Sequence, residues 1–292
     1  MRHRYSSPPK WPAPPTPEWV LPPQAWIPDS CSKPVAEGRK RQPFVPSRPL
    51  CSLDHSPFAK LTVAKPVDRY DYVVDACRGE RVLDLGAYDE TEVHRHGSSV
   101  YRWLHADITA VAEEVLGVDA AEALRSAGEI ETKLGTKIVY GLVEDLDDII
   151  ANFRPTVIVA GELIEHTQDT LGWLSRVAAR SPGVRFLATT PNTTSIINMM
   201  LAFFNRELAH PDHTQVYSYR TLWTLAGRVP MTPYQIFPYY YNRHLLYARV
   251  PKWCGPLVTL LDKVLLRPVQ RLFPLTSTGL ILDGRMGKGS ET

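Results

Sequence analysis

The sequence predicts an open α/β fold, a doubly wound and mostly parallel sheet with helices on both faces. Two segments carry this expectation. Thr156-Val-Ile-Val-Ala-Gly161 and Arg81-Val-Leu-Asp84-Leu-Gly86 are short, continuous aliphatic runs, the pattern of strands buried on both faces of a parallel sheet. The first runs straight into Glu162-Leu-Ile-Glu165-His166, so three side chains able to hold a proton or a metal follow a central strand. In open α/β sheets the carboxyl edge of the strands is where ligands bind.

The totals set bounds. A chain of 292 residues that is 44% hydrophobic has enough apolar side chains for one large or two small domains. A net charge of +2 argues against a broad electrostatic footprint, so nucleic acid is not an expected partner, although a local basic patch stays open. Cys31, Cys51, Cys77 and Cys254 lack CxxC spacing, which points away from a zinc ribbon or disulfide framework and toward a reducing cytoplasm. The N-terminus has no apolar core of the signal-peptide kind. The longest apolar stretch, Ile196 to Phe204, is too short for a transmembrane segment, so a soluble protein is expected, with peripheral membrane contact left open.

Residues 1–57 hold 14 of the 26 prolines, which remove backbone donors and fix extended dihedrals. They read as an extended or disordered tail, or as one pinned by Trp11, Trp19 and Trp26 across the folded part or a neighbouring subunit. The folded domain spans 58–292. Arg69 to Cys77 reads as a helix stopped by Gly79. The strand from Arg81 follows, then the loop Gly86-Ala-Tyr88-Asp-Glu-Thr91 and a long connection. His94, His96 and His105 read as surface and packing histidines in preference to a metal cluster. Tyr101 to Glu113 is expected as a helix, Val115 to Asp119 as the second strand, Ala120 to Gly128 as a helix and Lys137 to Gly141 as the third strand, followed by Glu144 and Asp145. After the central strand come a helix over Asp169 to Ala179 and the fifth strand over Arg185 to Thr190. Thr193 to Glu207 reads as an amphipathic core helix or a cover over the active site. A helix over Tyr219 to Gly227 precedes two last strands, Tyr234 to Tyr240 and Thr278 to Asp283. Between these lies an amphipathic insertion around 252–275, which would cover the substrate site, pair subunits into a homo-oligomer or lie on a membrane surface.

Taken as an ordered set, Val82-Leu-Asp-Leu-Gly86, Val118-Asp119, Gly161-Glu-Leu-Ile-Glu-His166 and Thr189-Thr-Pro-Asn192 resemble the class I S-adenosylmethionine-dependent methyltransferases, from about Asp68 onward. The resemblance implies a Rossmann-like seven-stranded sheet whose last two strands form an antiparallel edge hairpin. It implies S-adenosyl-L-methionine as cofactor and S-adenosyl-L-homocysteine as product. Asp84, Gly86 and Gly161 would line the cofactor site, with Tyr88 standing where a second glycine is common. Asp119 would take the ribose hydroxyls, and Glu144 or Asp145 would face the adenine.

Glu162 and Glu165 are three residues apart, and share a face if the chain turns helical after Gly161. Two carboxylates and an imidazole suit a hard divalent ion such as Mg²⁺ or Mn²⁺. The ExxEH pattern resembles that of metal-dependent O-methyltransferases, including small-RNA 2′-O-methyltransferases and ubiquinone-pathway enzymes. His213, in His210-Pro-Asp-His213, is the position most similar to the further histidine of the former. The implied ligands are Glu162, Glu165, His166 and His213, with Glu165 and His166 catalytic. Without a metal, Glu165 and His166 would brace the next helix and His166 alone would act as base. The expected activity is methylation of a hydroxyl on a sugar, glycan or other polyhydroxylated small molecule, with Trp223, Tyr239, Tyr240 and Tyr241 as a sugar platform. The alternatives are methylation of an RNA terminal ribose, or a catalytically silent partner protein.

Overall fold

A computed structural model describes residues 60–88, 102–240 and 255–287. The tail 1–57, His94, His96, Tyr241 and the start of the 252–275 insertion lie outside the described residues.

Asp68 caps α1 (Arg69–Cys77) by accepting from the amides of Tyr70 and Asp71. Then follow β1 (Arg81–Leu85), α2 (Leu104–Thr109), β2 (Glu114–Asp119), α3 (Glu122–Ala127), β3 (Glu129–Glu131) and β4 (Lys137–Tyr140). Next are α4 (Asp147–Phe153), β5 (Val157–Gly161), α5 (Thr170–Arg180), β6 (Arg185–Pro191), α6 (Ile196–Ala202), α7 (Tyr219–Arg228) and β7 (Met231–Tyr239). The insertion forms α8 (Gly255–Leu261), a π-helical turn over Asp262–Leu266 and α9 (Arg267–Leu272), before β8 (Gly279–Met286). Pro268 has no N–H to donate, which accounts for the wide turn ahead of it.

The sheet has eight strands in the order β3-β4-β2-β1-β5-β6-β8-β7. β4, β2, β1, β5 and β6 run parallel; β8 is antiparallel to β6 and to β7, as the edge hairpin requires. The eighth strand, β3, extends the opposite edge by pairing antiparallel with β4.

Alternation along the central strands sends side chains to two cores. Val82, Val157, Val159 and Leu187 meet Val73, Cys77 and Ile108 of α1 and α2. Leu83, Leu85, Ile158, Phe186 and Ala188 meet Ile150, Trp173, Leu174 and Leu222 of α4, α5 and α7. Burial on both faces is why these strands read as continuous apolar runs.

Three expectations need correction, and one helix was not expected. α2 is shorter than Tyr101 to Glu113, because Val111 and Glu113 bond through their backbones to Gly79 and Glu80 instead of continuing the helix. α4 has no counterpart among the elements expected from sequence; it is seven residues long, starts without a side-chain cap and stops at Arg154 in the left-handed region, so its local signals are weak. Glu162 adopts φ +54° and Leu163–His166 closes a turn, so the chain does not become helical after Gly161. α6 is not a core helix, since none of its residues is buried and Phe203 beyond it is 87% exposed.

Trp173 lies fully buried between sheet and α5, with its indole N–H donating to Thr167 Oγ1 at 3.1 Å. Trp173→Ala is expected to destabilise the fold by about 3–5 kcal/mol, read from urea denaturation midpoints at unchanged m-value.

Candidate active site

The carboxyl ends of β1, β2, β4, β5 and β6 share one edge of the sheet, and the antiparallel register brings Gly279 of β8 opposite Pro191 and Tyr239 to that edge. On the β1 side, Gly86 turns the chain at φ +75°, and its amide bonds to Val118 O at 2.8 Å. Asp119 accepts from the Tyr88 amide at 3.0 Å with one oxygen and from the Ala121 amide at 2.9 Å with the other. Each oxygen keeps a lone pair, so the carboxylate fits two ribose hydroxyls. Burial pushes its pKa up, against the lowering effect of those amides. Asp84 is buried beneath the loop and is held by His105, whose Nδ1 donates to Asp84 Oδ2 at 2.9 Å while Nε2 lies 3.0 Å from Thr136 Oγ1. Asp84 is thereby tied through His105 to α2 and to the turn between β3 and β4, and His105 has both ring nitrogens engaged. Glu144 and Asp145 are both exposed on the turn after β4.

At the end of β5 the two glutamates part company. The Glu162 amide donates to Thr189 O and Oγ1, and Glu162 Oε1 accepts from Thr189 Oγ1 at 3.0 Å and Tyr239 OH at 2.8 Å, with Arg69 Nη1 3.7 Å away. These partners hold a left-handed conformation that a non-glycine residue adopts at a cost of order 1–3 kcal/mol. Gly279 makes the arrangement feasible, because a Cβ there would overlap the Tyr239 ring.

Glu165 is 1% exposed; neither carboxylate oxygen has a well-formed hydrogen bond, although the Glu165 amide and the Thr190 hydroxyl lie near enough to oppose the rise in its pKa. Burial first, then repulsion from Glu162, push its pKa up to about 8. Its Oε, an imidazole nitrogen of His166 and one of His213 lie within 4.8 Å of one another. His213 is delivered by backbone pairing: the amides of Thr214 and Gln215 donate to Glu165 O at 3.0 and 3.1 Å, and Gln215 Nε2 donates to Thr167 O. Burial and the neighbouring imidazoles of His166 and His210 push the His213 pKa down, which favours its neutral, ligating form. His210 stands 5.8 Å from His213 and 6.0 Å from His166, ring centre to ring centre.

A buried carboxylate with unused lone pairs facing two imidazoles is a fit site for a divalent ion. The structure thus brings together Glu165, His166 and His213, and directs the bonded Glu162 oxygen to Tyr239 and Thr189. Arg69 is a site residue that sequence reasoning missed, whereas Thr189 and Tyr239, read from sequence as a strand-end motif and as part of a sugar platform, serve instead as partners of Glu162. Arg69 is carried there by the bridge between Val67 and Tyr239, a pairing with no local sequence signal.

The aromatic platform does not form as expected. Trp223 packs against Tyr219 and Tyr234 at the core, Tyr240 lies under the Arg267 guanidinium, and of the described three only Tyr239 bonds a site residue.

Set aside β3, and the strand order with its antiparallel edge is the Rossmann-like fold of class I S-adenosylmethionine-dependent methyltransferases. No family model and no curated protein matches the chain. Among solved structures it is similar to a SAM-dependent methyltransferase from Archaeoglobus fulgidus, at 14% identity over 74% of this chain and 90% of that one, with a TM-score of 0.43. An S-adenosylmethionine-dependent methyltransferase from Mesorhizobium loti matches at 16% identity over 73% and 96%, with a TM-score of 0.40. The methyltransferase domain of bacterial CtHen1-CN matches at 12% identity over 74% and 97%, with a TM-score of 0.45. The fold assignment rests on strand order and register, not on these likenesses.

Gly279→Ala is expected to displace Tyr239 and destabilise the protein by about 1–3 kcal/mol, whereas Tyr239→Phe, losing one bond to a charged acceptor, costs about 1.5–3 kcal/mol without overlap. Paired denaturation curves check both. Glu165 also makes a pH prediction. An acid whose folded pKa is raised from 4.5 to about 8 keeps its proton longer in the folded state, so metal-free stability falls as pH rises through that window. Glu165→Gln should flatten that fall in pH-dependent melting.

Proposed function

We propose that the chain transfers a methyl group from S-adenosylmethionine to a hydroxyl of a sugar, glycan or other polyhydroxylated small molecule, with a divalent ion held by Glu165, His166 and His213. The observation that carries this reading is the buried Glu165 carboxylate, without a well-formed hydrogen bond, beside two imidazoles at the ligand-binding edge of the sheet. One carboxylate with two imidazoles favours Mn²⁺ over Mg²⁺. When bound, the ion would supply Lewis acidity to an acceptor hydroxyl and the cofactor its methyl group.

The chain's own residues supply the rest. Asp119, fixed by two backbone amides, orients the ribose. Thr189, Tyr239 and Arg69 hold the Glu162 turn, and with it the spacing between the cofactor loop and Glu165. An imidazole that ligates the ion through one nitrogen carries hydrogen on the other, so with the ion bound the acidified hydroxyl proton passes to solvent; without the ion, His213 or His166 takes it. The acceptor has a route in: a cleft of about 600 Å³ has Thr193, Asn198, Met199, Ala202, Arg206 and Glu207 in its lining. It shares Thr193, Asn198 and Glu207 with a cavity of about 20 Å³ that reaches Glu165, Thr190 and His213. The inner cavity has room for about one ion or water, and the outer one is the size of a small-molecule site.

Calorimetric titration of metal-stripped protein with S-adenosylhomocysteine, then Mn²⁺, tests the reading. Cofactor binding is expected with and without Asp119, but weaker by about tenfold or more in Asp119→Ala, a loss of about 1.4 kcal/mol. The Mn²⁺ heat should vanish in His213→Ala while cofactor binding survives. No cofactor binding by the intact chain would favour the silent-partner reading. Methyl transfer to RNA termini but to no saccharide would move the acceptor to a terminal ribose.

A further inference from the structure

We propose that the helical insertion 255–273 is a docking surface for an anionic lipid membrane, lying on it with its apolar face toward the lipid. Leu257, Leu260, Leu261, Val264 and Leu265 follow the i, i+3, i+4, i+7, i+8 spacing of one helical face, and all are exposed, Val264 at 67%. Asp262 and Gln270 point the other way. They are buried at 2% and 1%, Asp262 Oδ2 accepting from Arg267 Nε at 3.0 Å and Gln270 Nε2 donating to Thr278 Oγ1 at 3.3 Å. The element is amphipathic with its polarity inverted relative to a helix packed on a core.

The charge around that face selects its occupant. Lys263, Arg267 and Arg271 recur at four-residue spacing along one flank, and Lys263 and Arg271 are exposed. Against three cations the segment from Gly255 to Phe273 has one carboxylate, Asp262, already paired with Arg267. An apolar face beside a basic flank is the signature of a helix lying in the interface of anionic lipids. A second copy of the chain would bring like-charged flanks together in a twofold contact, which that flank opposes. Among the described residues no helix is long and apolar enough to cross a membrane, so the element lies on the surface.

The insertion is tied to the site edge. Leu275 O, just past α9, accepts from Asn192 Nδ2 at 2.8 Å and Thr194 Oγ1 at 2.7 Å, at the entry to α6. α6 and the residues after it expose Met199, Met200, Phe203 and Phe204, a second apolar element rooted at the same place.

Flotation of the full chain with vesicles of phosphatidylcholine, with and without added phosphatidylglycerol, tests the proposal independently of any methyl transfer. Binding to the mixed vesicles is expected to be at least about tenfold tighter than to phosphatidylcholine alone, and to weaken with salt. Leu260→Asp with Val264→Asp should abolish it, and Lys263→Glu with Arg271→Glu should remove the preference for anionic vesicles; circular dichroism confirms that both variants fold. Absence of binding to either vesicle, or binding untouched by the aspartates, would overturn the proposal. So would a wild-type dimer that the aspartates split into monomers with no vesicle binding, because a second copy would then cover the face.

Discussion

The left-handed turn at Glu162 is the constraint on which the site depends. It ends β5, and it gives Glu162 and Glu165 different partners while leaving the two close enough to repel. Glu162 spends hydrogen bonds on Thr189 and Tyr239, which fix the turn. Glu165, three residues on, is left buried without a well-formed hydrogen bond to either oxygen. Like-charge repulsion between the pair helps raise the Glu165 pKa, so the site carries an unmet demand for a proton or a cation.

That demand is set by elements far apart in sequence. His213 reaches Glu165 because the amides of Thr214 and Gln215 bond to the Glu165 carbonyl, and Tyr217 OH bonds to Gln215 Oε1 at 2.5 Å and to Thr170 at 3.2 Å. Tyr239 reaches Glu162 because Gly279 has no side chain in its way. Stability of the sheet's antiparallel edge and geometry of the site are therefore one problem: a change in the β7–β8 pairing alters the turn that positions Glu165.

Much of the scaffold was legible because its residues are locally consistent. β1 and β5 are continuous apolar runs, and α1, α5 and α7 begin at Asp68, Asp169 and Ser218, each of which caps its helix through its side chain. β3 and α4 were not legible, being three and seven residues long with little periodicity to detect. The apolar run after Thr193 has the composition of a core helix, yet the adjoining faces of the sheet are already covered, so its side chains stay outside. Glu165 and His166 were legible as types and spacing and His213 through the family resemblance, but the diversion of Glu162 was not, because its partners Tyr239 and Arg69 come from pairings more than seventy residues away.

The central claim is that Glu165 is the anchor of a cation site. Electron paramagnetic resonance of Mn²⁺ added to metal-stripped protein addresses it without need of an acceptor. Free Mn²⁺ should be depleted by about one ion per chain, with no depletion in Glu165→Gln. Equal Mn²⁺ binding by the wild type and Glu165→Gln would contradict it.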